Sequence, residues 1–509
     1  MSAFVDAFAR IPALLAAHVL LSACALALGI AISLPLAVVS ARRPRVASVA
    51  LGLAGLVQTI PSLALLALFY PLLLWLGHGI PALGFLPSLM ALTLYALLPI
   101  LRNAVAGLRG LDPAVIEAAD AVGMTPAQKL RLVEAPLVAP IVVAGIRTAA
   151  VWTIGAATLS TTVGQPSLGD LIFAGLQTQA WTLVLAGCAA AAGLALTADA
   201  LIGAIERGVA TRRRRLWIGA SGLLAAGILA ATAPLWSGGG KQTVVVGAKN
   251  FSEQFILARL IGTRLERAGY RVEYRDGLGS AVAFGAVTGG DIDVYVDYAG
   301  TLWTGPMGRK DVPRRSAMAA DIARWAQATH HVRLLGALGF ENAYAFAMRG
   351  ADARAKGIAT LDDLASAAPG LRLGSDLEFL DRAEWRAVRN RYGLRFASTA
   401  PYSPTFMYRA LASGRVDVIS AFSSDGRIAA DGLRVLSDPK RAIPGYDAIL
   451  LVSPRKATDP CFTAALAPLI GRVPVQAMRA ANYQVDRDVN KRTPEQAARW
   501  LADRMGLPR

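Results

Sequence analysis

Six stretches within the first 236 residues are each long and apolar enough to cross a lipid bilayer: about 14 to 40, 47 to 76, 82 to 101, 138 to 163, 181 to 205 and 216 to 236. A helix needs about 20 mostly apolar residues to traverse a hydrocarbon core of about 30 Å. No water reaches that core, so such a segment must satisfy its backbone hydrogen bonds internally, which excludes an open sheet or a loop-rich globule for this half. Charge is correspondingly sparse: Asp6 is the single acidic residue among the first 110. The expectation is an all-α, six-span membrane domain over residues 1–236.

The chain carries 52 basic and 35 acidic residues, a net +17 that in a soluble protein would point to nucleic acid. Position argues otherwise. Arg42, Arg43 and Arg45 follow the first span, Arg102 and Arg109 the third, and Arg207 with Arg212 to Arg215 the fifth. Positive residues in short loops mark the cytoplasmic side. The N-terminus is then expected outside and residues 241–509 beyond the cell (inner) membrane, in the periplasm, exported by the spans without a cleavable signal peptide. No nucleic-acid partner is expected, and the lipid bilayer is. Cys24, Cys188 and Cys461 are too few and too scattered for a disulfide framework or a zinc site.

After a Gly-rich linker at 237–242 the composition changes to mixed charge with alternating strand-like and helix-like segments. Strands are expected at 243 to 250, 291 to 298, 371 to 373, 416 to 419 and 448 to 452, with helices starting at Ser252 and over 280 to 287. That pattern predicts an α/β domain over 243–509, built as two lobes joined by crossing segments with a ligand held between them. A strand feeding the helix at Ser252 would leave an anion-attracting helix N-terminus at the junction. Catalysis is not expected. Of four histidines, His18 and His78 lie in or near spans, His330 and His331 lack the spacing of a helical metal pair, and no Gly-x-Ser-x-Gly elbow occurs. Gly238, Gly239, Gly240 and Lys241 do not form a phosphate loop, because that spacing requires Gly at 235 and Ser or Thr at 242, which are Leu235 and Gln242. No cofactor is expected; ATP would be used by a separate subunit.

Between the third and fourth spans, the loop at 111–137 has Asp112 as an N-cap, Pro113 at the first helical position, Gly123 as a breaker, and Thr125 with Pro126 to restart. Two short helices joined at a glycine suit docking into a partner's groove. The shape alone equally suits a re-entry loop with no partner.

The residues of this loop resemble a known family. Glu117, Ala118, Ala119, Gly123, Val133 and Pro136 match the spacing of the EAA loop of ABC-importer permeases, and Gln58 to Leu63 and Gly164 to Gly175 resemble the osmoprotectant (glycine betaine, carnitine, choline) branch. The resemblance implies that Glu117, Ala118, Ala119, Gly123 and Pro136 couple the chain to an ATPase subunit, and that two permease chains pair as a homodimer. In the second half, Lys249 to Gln254, Asp297 to Thr301, Asp425 to Ile428 and Pro444 to Ala448 resemble the substrate-binding proteins of the same importers, with a type II binding-protein fold. By that resemblance Tyr298, Tyr344, Phe422 and Tyr446 form a cage for a quaternary ammonium, and Lys249, Thr301 and Arg382 hold a carboxylate. The chemistry suits the division. A trimethylammonium has no N–H to donate and is held by aromatic faces at about 0.5 to 2 kcal/mol each, whereas a carboxylate takes a guanidinium fork, an ammonium and a hydroxyl. Phe422 stands where the family usually has Tyr, which admits a different betaine such as ergothioneine. The implied function is ATP-driven import of such a solute. A ligand-binding membrane sensor with the same cage, and a tethered periplasmic enzyme, are the competing classes.

Overall fold

The computed structural model describes residues 2–76, 82–178, 180–236, 242–487 and 489–507. The expected linker at 237–242 lies, except for Gln242, outside the described residues, as does His78. The chain divides into one compact unit of Met1–Phe173 with Thr182–Gly239 and a second of Ala174–Trp181 with Gly240–Arg509.

The chain through Trp236 is helical, and apart from Ala174–Trp181 it makes up the first unit: α1 (Ser2–Arg42), α2 (Pro44–Thr59), α3 (Ser62–Leu76), α4 (Phe85–Arg109), α5 (Pro113–Ala121), α6 (Pro126–Lys129), α7 (Ala135–Ala157), α8 (Gly169–Gln177), α9 (Trp181–Ala210) and α10 (Arg214–Trp236). Five segments among the described residues are long and apolar enough to cross a membrane: Ile11–Arg42, Phe85–Arg109, Pro126–Val163, Trp181–Ala210 and Arg214–Ala233. The stretch expected as a single span at 47 to 76 is instead α2 and α3, bent by 102°. Pro61 causes the break: its ring disfavours helix at the preceding residue, and Ile60 is extended at φ −74°, ψ 125°. α4 holds the freed carbonyl, since the Tyr95 hydroxyl donates to Ile60 O.

The loop helix α5 forms as its caps dictate, with Asp112 accepting from Ala114 N at 2.9 Å and Gly123 left-handed at φ +77°. The second helix differs from expectation. Thr125 and Gln128 make a reciprocal capping box, but α6 runs through a π turn at Leu130–Glu134 directly into α7. Pro136 brings no N–H, and the helix absorbs the missing bond by widening, Ala135 N reaching back to Leu130 O, rather than stopping. The restart at Thr125 therefore opens a long membrane segment, not a second short loop helix.

The second unit holds β1 (Thr243–Lys249), α11 (Ser252–Arg267), β2 (Arg271–Leu278), α12 (Ser280–Gly289), β3 (Val294–Tyr298), α13 (Ala299–Thr304), α14 (Arg315–His330), β4 (Arg333–Glu341), β5 (Tyr344–Arg349), β6 (Arg372–Asp376), β7 (Ser398–Tyr402), β8 (Val418–Phe422), β9 (Leu433–Val435) and β10 (Asp447–Val452), with further helices between and after them. These strands form two five-stranded sheets, ordered β2-β1-β3-β10-β4 and β7-β6-β8-β5-β9. Each sheet mixes a parallel core with an antiparallel insertion: β10 runs against β3 and β4, and β5 against β8 and β9. The chain crosses between lobes at Asn342–Ala343 and again between β9 and β10. β3 starts three residues later than the expected strand at 291, because Asp293 folds back to bridge Val245, its N donating to Val245 O at 2.7 Å and its carboxylate accepting from Val245 N at 2.8 Å.

Candidate functional site

Strand direction gathers the predicted residues at one edge. β1 ends at Lys249, β3 at Tyr298, β6 at Asp376 and β8 at Phe422, and the antiparallel registers place Tyr344 opposite Phe422 and Ala448 opposite Tyr298. Ligands in α/β proteins bind at such carboxyl ends. Between the two lobes lies a cleft of about 640 Å³, and all seven residues expected to bind ligand, Lys249, Tyr298, Thr301, Tyr344, Arg382, Phe422 and Tyr446, line it.

The aromatic side chains form a continuous wall. Tyr446 meets Tyr344 edge-on with centroids 5.8 Å apart, Tyr344 lies 5.2 Å from Phe422, Phe422 stacks within 6° of parallel on Phe251 at 6.0 Å, and Phe251 continues to Tyr298 at 6.1 Å. Phe251 is the ring that reasoning from sequence did not place in the cage, although it sits in the Lys249 to Gln254 signature immediately after β1. Gly300 makes the wall closable, because a Cβ there would lie 2.5 Å from the Tyr446 ring. Hydroxyls on the outer side orient the rings: Tyr298 donates to Glu253 Oε1 at 2.6 Å, and Tyr446 donates to Glu384. Glu253 is itself buried and accepts from Asn342 Nδ2 at 3.1 Å and Asn482 Nδ2 at 2.8 Å, so the Tyr298 ring stands on a fixed support.

The cationic residues have partners of their own. The Lys249 ammonium is buried against Asp297, whose second oxygen accepts from Tyr295 OH at 2.6 Å, and it lies 5.3 Å from the Tyr298 centroid. Arg382 bonds Glu378 at 2.7 Å and Glu384 at 3.4 Å, with its guanidinium carbon 5.6 Å from the Tyr344 centroid. Burial opposes the Arg382 charge, but Tyr344, Tyr446, Glu378 and Glu384 hold its pKa above the ordinary value. Its Nε is buried without a hydrogen-bond partner among the described residues, a donor left for a guest. Asp376, Glu378 and Asp381 also line the cleft, so carboxylates outnumber cations in the wall. Burial pushes the Asp376 pKa up to about 6, and its Oδ2 has no hydrogen-bond partner among the described residues while Oδ1 accepts from Phe379 N at 3.0 Å. Neither Asn342 nor Asp376 carried a sequence signal beyond its place at a strand end. The arrangement suits an organic cation laid against aromatic faces, with a small polar group reaching Arg382 or Thr301. Among the described residues no group of three His, Cys, Asp or Glu side chains could hold a metal ion.

In the first unit, Glu117 and Ala118 are exposed on α5, Ala119 is buried, and Pro136 is exposed near the start of α7. Val122 and Leu132 are apolar and 71% and 66% exposed on either side of this loop.

Comparison with known proteins agrees over both halves. Residues 29–211 match the family described as binding-protein-dependent transport system inner membrane component, and residues 242–503 match the substrate binding domain of ABC-type glycine betaine transport system. The ergothioneine transport permease/ergothioneine binding protein EgtU of Helicobacter pylori is 28% identical over 470 residues, 88% of this chain and 82% of that protein. The choline transport system permease protein OpuBB of Bacillus subtilis is 40% identical over 190 residues, 37% of this chain and 84% of that protein. A solved glycine betaine/carnitine/choline ABC transporter structure matches with 25% identity and a TM-score of 0.45, covering 52% of this chain and 98% of that one. These relatives are transport and binding proteins, not enzymes. The chain belongs to the osmoprotectant branch of the binding-protein-dependent ABC importers, as an inner-membrane permease fused to a substrate-binding domain of the glycine betaine type.

Proposed function

We propose that this protein is the membrane subunit of an ATP-driven importer that captures a quaternary-ammonium solute of the glycine betaine, choline or carnitine type in its C-terminal domain and passes it through the N-terminal permease. The observation that carries the reading is the wall of rings from Tyr298 through Phe251, Phe422 and Tyr344 to Tyr446 along one interlobe cleft. A cation without N–H groups has few other means of being recognised, and several faces together supply several kcal/mol. Arg382 and Thr301 take a carboxylate where the ligand has one, with Lys249 held by Asp297 as a supporting charge.

The exposed α5 face, with Glu117, Ala118, Gly123 and the nearby Pro136 around a core position at Ala119, is the surface on which a separate ATPase subunit docks; Val122 and Leu132 supply its apolar area. ATP is used there and no cofactor is needed in this chain. Arginine placement after the spans puts that loop in the cytoplasm and the binding domain in the periplasm, and two copies form the permease. The tether keeps the receptor at an effective concentration near the millimolar range.

Ergothioneine is the second reading. It is supported by the Helicobacter relative, whose similarity runs through both halves of this chain, and by Asp376, a buried acceptor in the cleft wall suited to a ligand that, unlike glycine betaine, has N–H groups. Calorimetry of the full chain in detergent against glycine betaine, carnitine, choline and ergothioneine separates these; binding of none of them would overturn the cage. Vesicles containing the chain and its ATPase separate an importer from a sensor, which would accumulate no labelled ligand.

A further inference from the structure

The first unit contains an ion cluster within its membrane segments. Arg147 on α7 makes a bidentate contact with Asp199 on α9, at 2.6 and 2.7 Å, and reaches Glu206, about two turns further along the same face, at 3.3 Å. α9 is shaped to receive it: a Cβ on Gly203, between the two acids, would sit 3.1 Å from the guanidinium carbon. At about 1.5 Å rise per residue, Asp199 lies about 16 Å along α9 from Ala210, beyond which come Arg212 to Arg215, while Glu206 lies about 6 Å from it. Asp199 and its partner Arg147 therefore lie well inside segments long and apolar enough to cross a membrane, Trp181–Ala210 and Pro126–Val163.

The Arg147–Asp199–Glu206 triad is neither neutral nor enclosed, the next cation along α9, Arg207, being turned to Gly203 O at 3.1 Å. One guanidinium faces two carboxylates, and the side chains of Arg147, Asp199 and Glu206 remain 40%, 33% and 29% exposed. Charged groups inside a bilayer face a bundle interior or water, since contact with lipid is costly. Between these helices and lipid there must be something polar.

We propose that this face of α7 and α9 lines the passage through which the cargo crosses, and that the excess carboxylate, shared by Asp199 and Glu206, meets the cargo's positive charge on its way. The second clause rests on the quaternary-ammonium reading above; the first does not. Arg147 is hydrogen-bonded to both acids, so the passage offers a cation a weak and reversible partner rather than a trap.

The test uses the full chain with Cys24, Cys188 and Cys461 replaced by serine, reconstituted in vesicles with its ATPase. Val143→Cys, one turn before Arg147 on α7, leaves the cluster intact, and Leu223→Cys on α10, 64% exposed, is the lipid-facing comparison. A trimethylammonium-bearing methanethiosulfonate is expected to modify Val143→Cys roughly tenfold faster or more, a barrier difference of about 1.4 kcal/mol, and the transported ligand is expected to slow it. Asp199→Asn is expected to bind ligand in its C-terminal cleft yet lose transport by a similar factor. Modification of Val143→Cys no faster than of Leu223→Cys overturns the passage, and Asp199→Asn transporting at the unmodified rate overturns the role of the carboxylates. Fast modification that no quaternary ammonium slows supports the polar passage and counts against the cargo assignment.

Discussion

Phe422→Leu separates the cage from every other account of the cleft. Phe422 closes β8 and touches Phe251 and Tyr344, but its backbone N donates to Tyr408 OH at 3.2 Å, a bond that any side chain leaves in place. Leucine keeps the site apolar, at somewhat smaller volume, and removes the π face. The two lost ring contacts cost about 0.5 to 1.5 kcal/mol each beyond area, which a domain of this size tolerates. The lost cation contact costs about 0.5 to 2 kcal/mol, so Kd for a trimethylammonium should weaken roughly two- to thirtyfold. Phe422→Tyr keeps the face and should bind within about threefold of the unmodified chain. Calorimetry with glycine betaine and choline adds direction. Both carry the ammonium and only the betaine carries a carboxylate, so the leucine variant should weaken both by the same factor. Unchanged affinity for both would remove Phe422 from the cage, and loss confined to the betaine would move it to the carboxylate end. Ergothioneine, with the same trimethylammonium, serves where neither solute binds.

Asp376 should make the protein's stability pH-dependent. Its pKa is raised from the ordinary 3.8 to about 6 by burial, so the folded state favours the protonated form, a contribution complete below about pH 4 and lost as pH rises through about 6. Asp376→Asn mimics the protonated acid and keeps an oxygen to cap Phe379, so its Tm should exceed that of the unmodified chain at pH 7.5 and approach it at pH 4.5; equal differences at both pH values would refute the assignment. Gly123→Val places a branched residue at φ +77°, a strain of about 1 to 2 kcal/mol, and should depress ATP-driven uptake without changing ligand affinity, as should charge reversal at Glu117; full uptake would show that the loop does not couple. Gly300→Val drives a side chain into the Tyr446 ring and should cost about 1 to 3 kcal/mol of stability together with ligand binding, and retained affinity in calorimetry would show that Tyr446 is free to move.

The membrane half could be read from its apolar runs because lipid imposes a length and a periodicity-free hydrophobicity that few other environments demand. What escaped that reading was local. Pro61 broke the second span where apolarity alone predicted continuity, and Pro136, which removes an N–H inside a continuous helix, only widened it into a π turn. In the binding domain the strands that begin or run through a cluster of Val, Ile or Leu, such as β1, β8 and β10, were visible, whereas β2, β4 and β7 carry Arg, Glu, Gly or Pro and owe their form to the neighbours they pair with. The site divides along the same line. Tyr298 and Tyr446 lie in quoted motifs, and Tyr344 and Phe422 followed from the family resemblance, yet no motif says what a charge is paired with. Lys249 and Arg382 read as ligand groups in the sequence and emerge in the structure holding Asp297, Glu378 and Glu384. A cleft whose cations are already engaged and whose wall keeps surplus carboxylate selects first for the positive end of a solute. The carboxylate of a betaine must then be accommodated at a cost that choline does not bear, and the ratio of their affinities measures how much of the guanidinium of Arg382 the protein is willing to release.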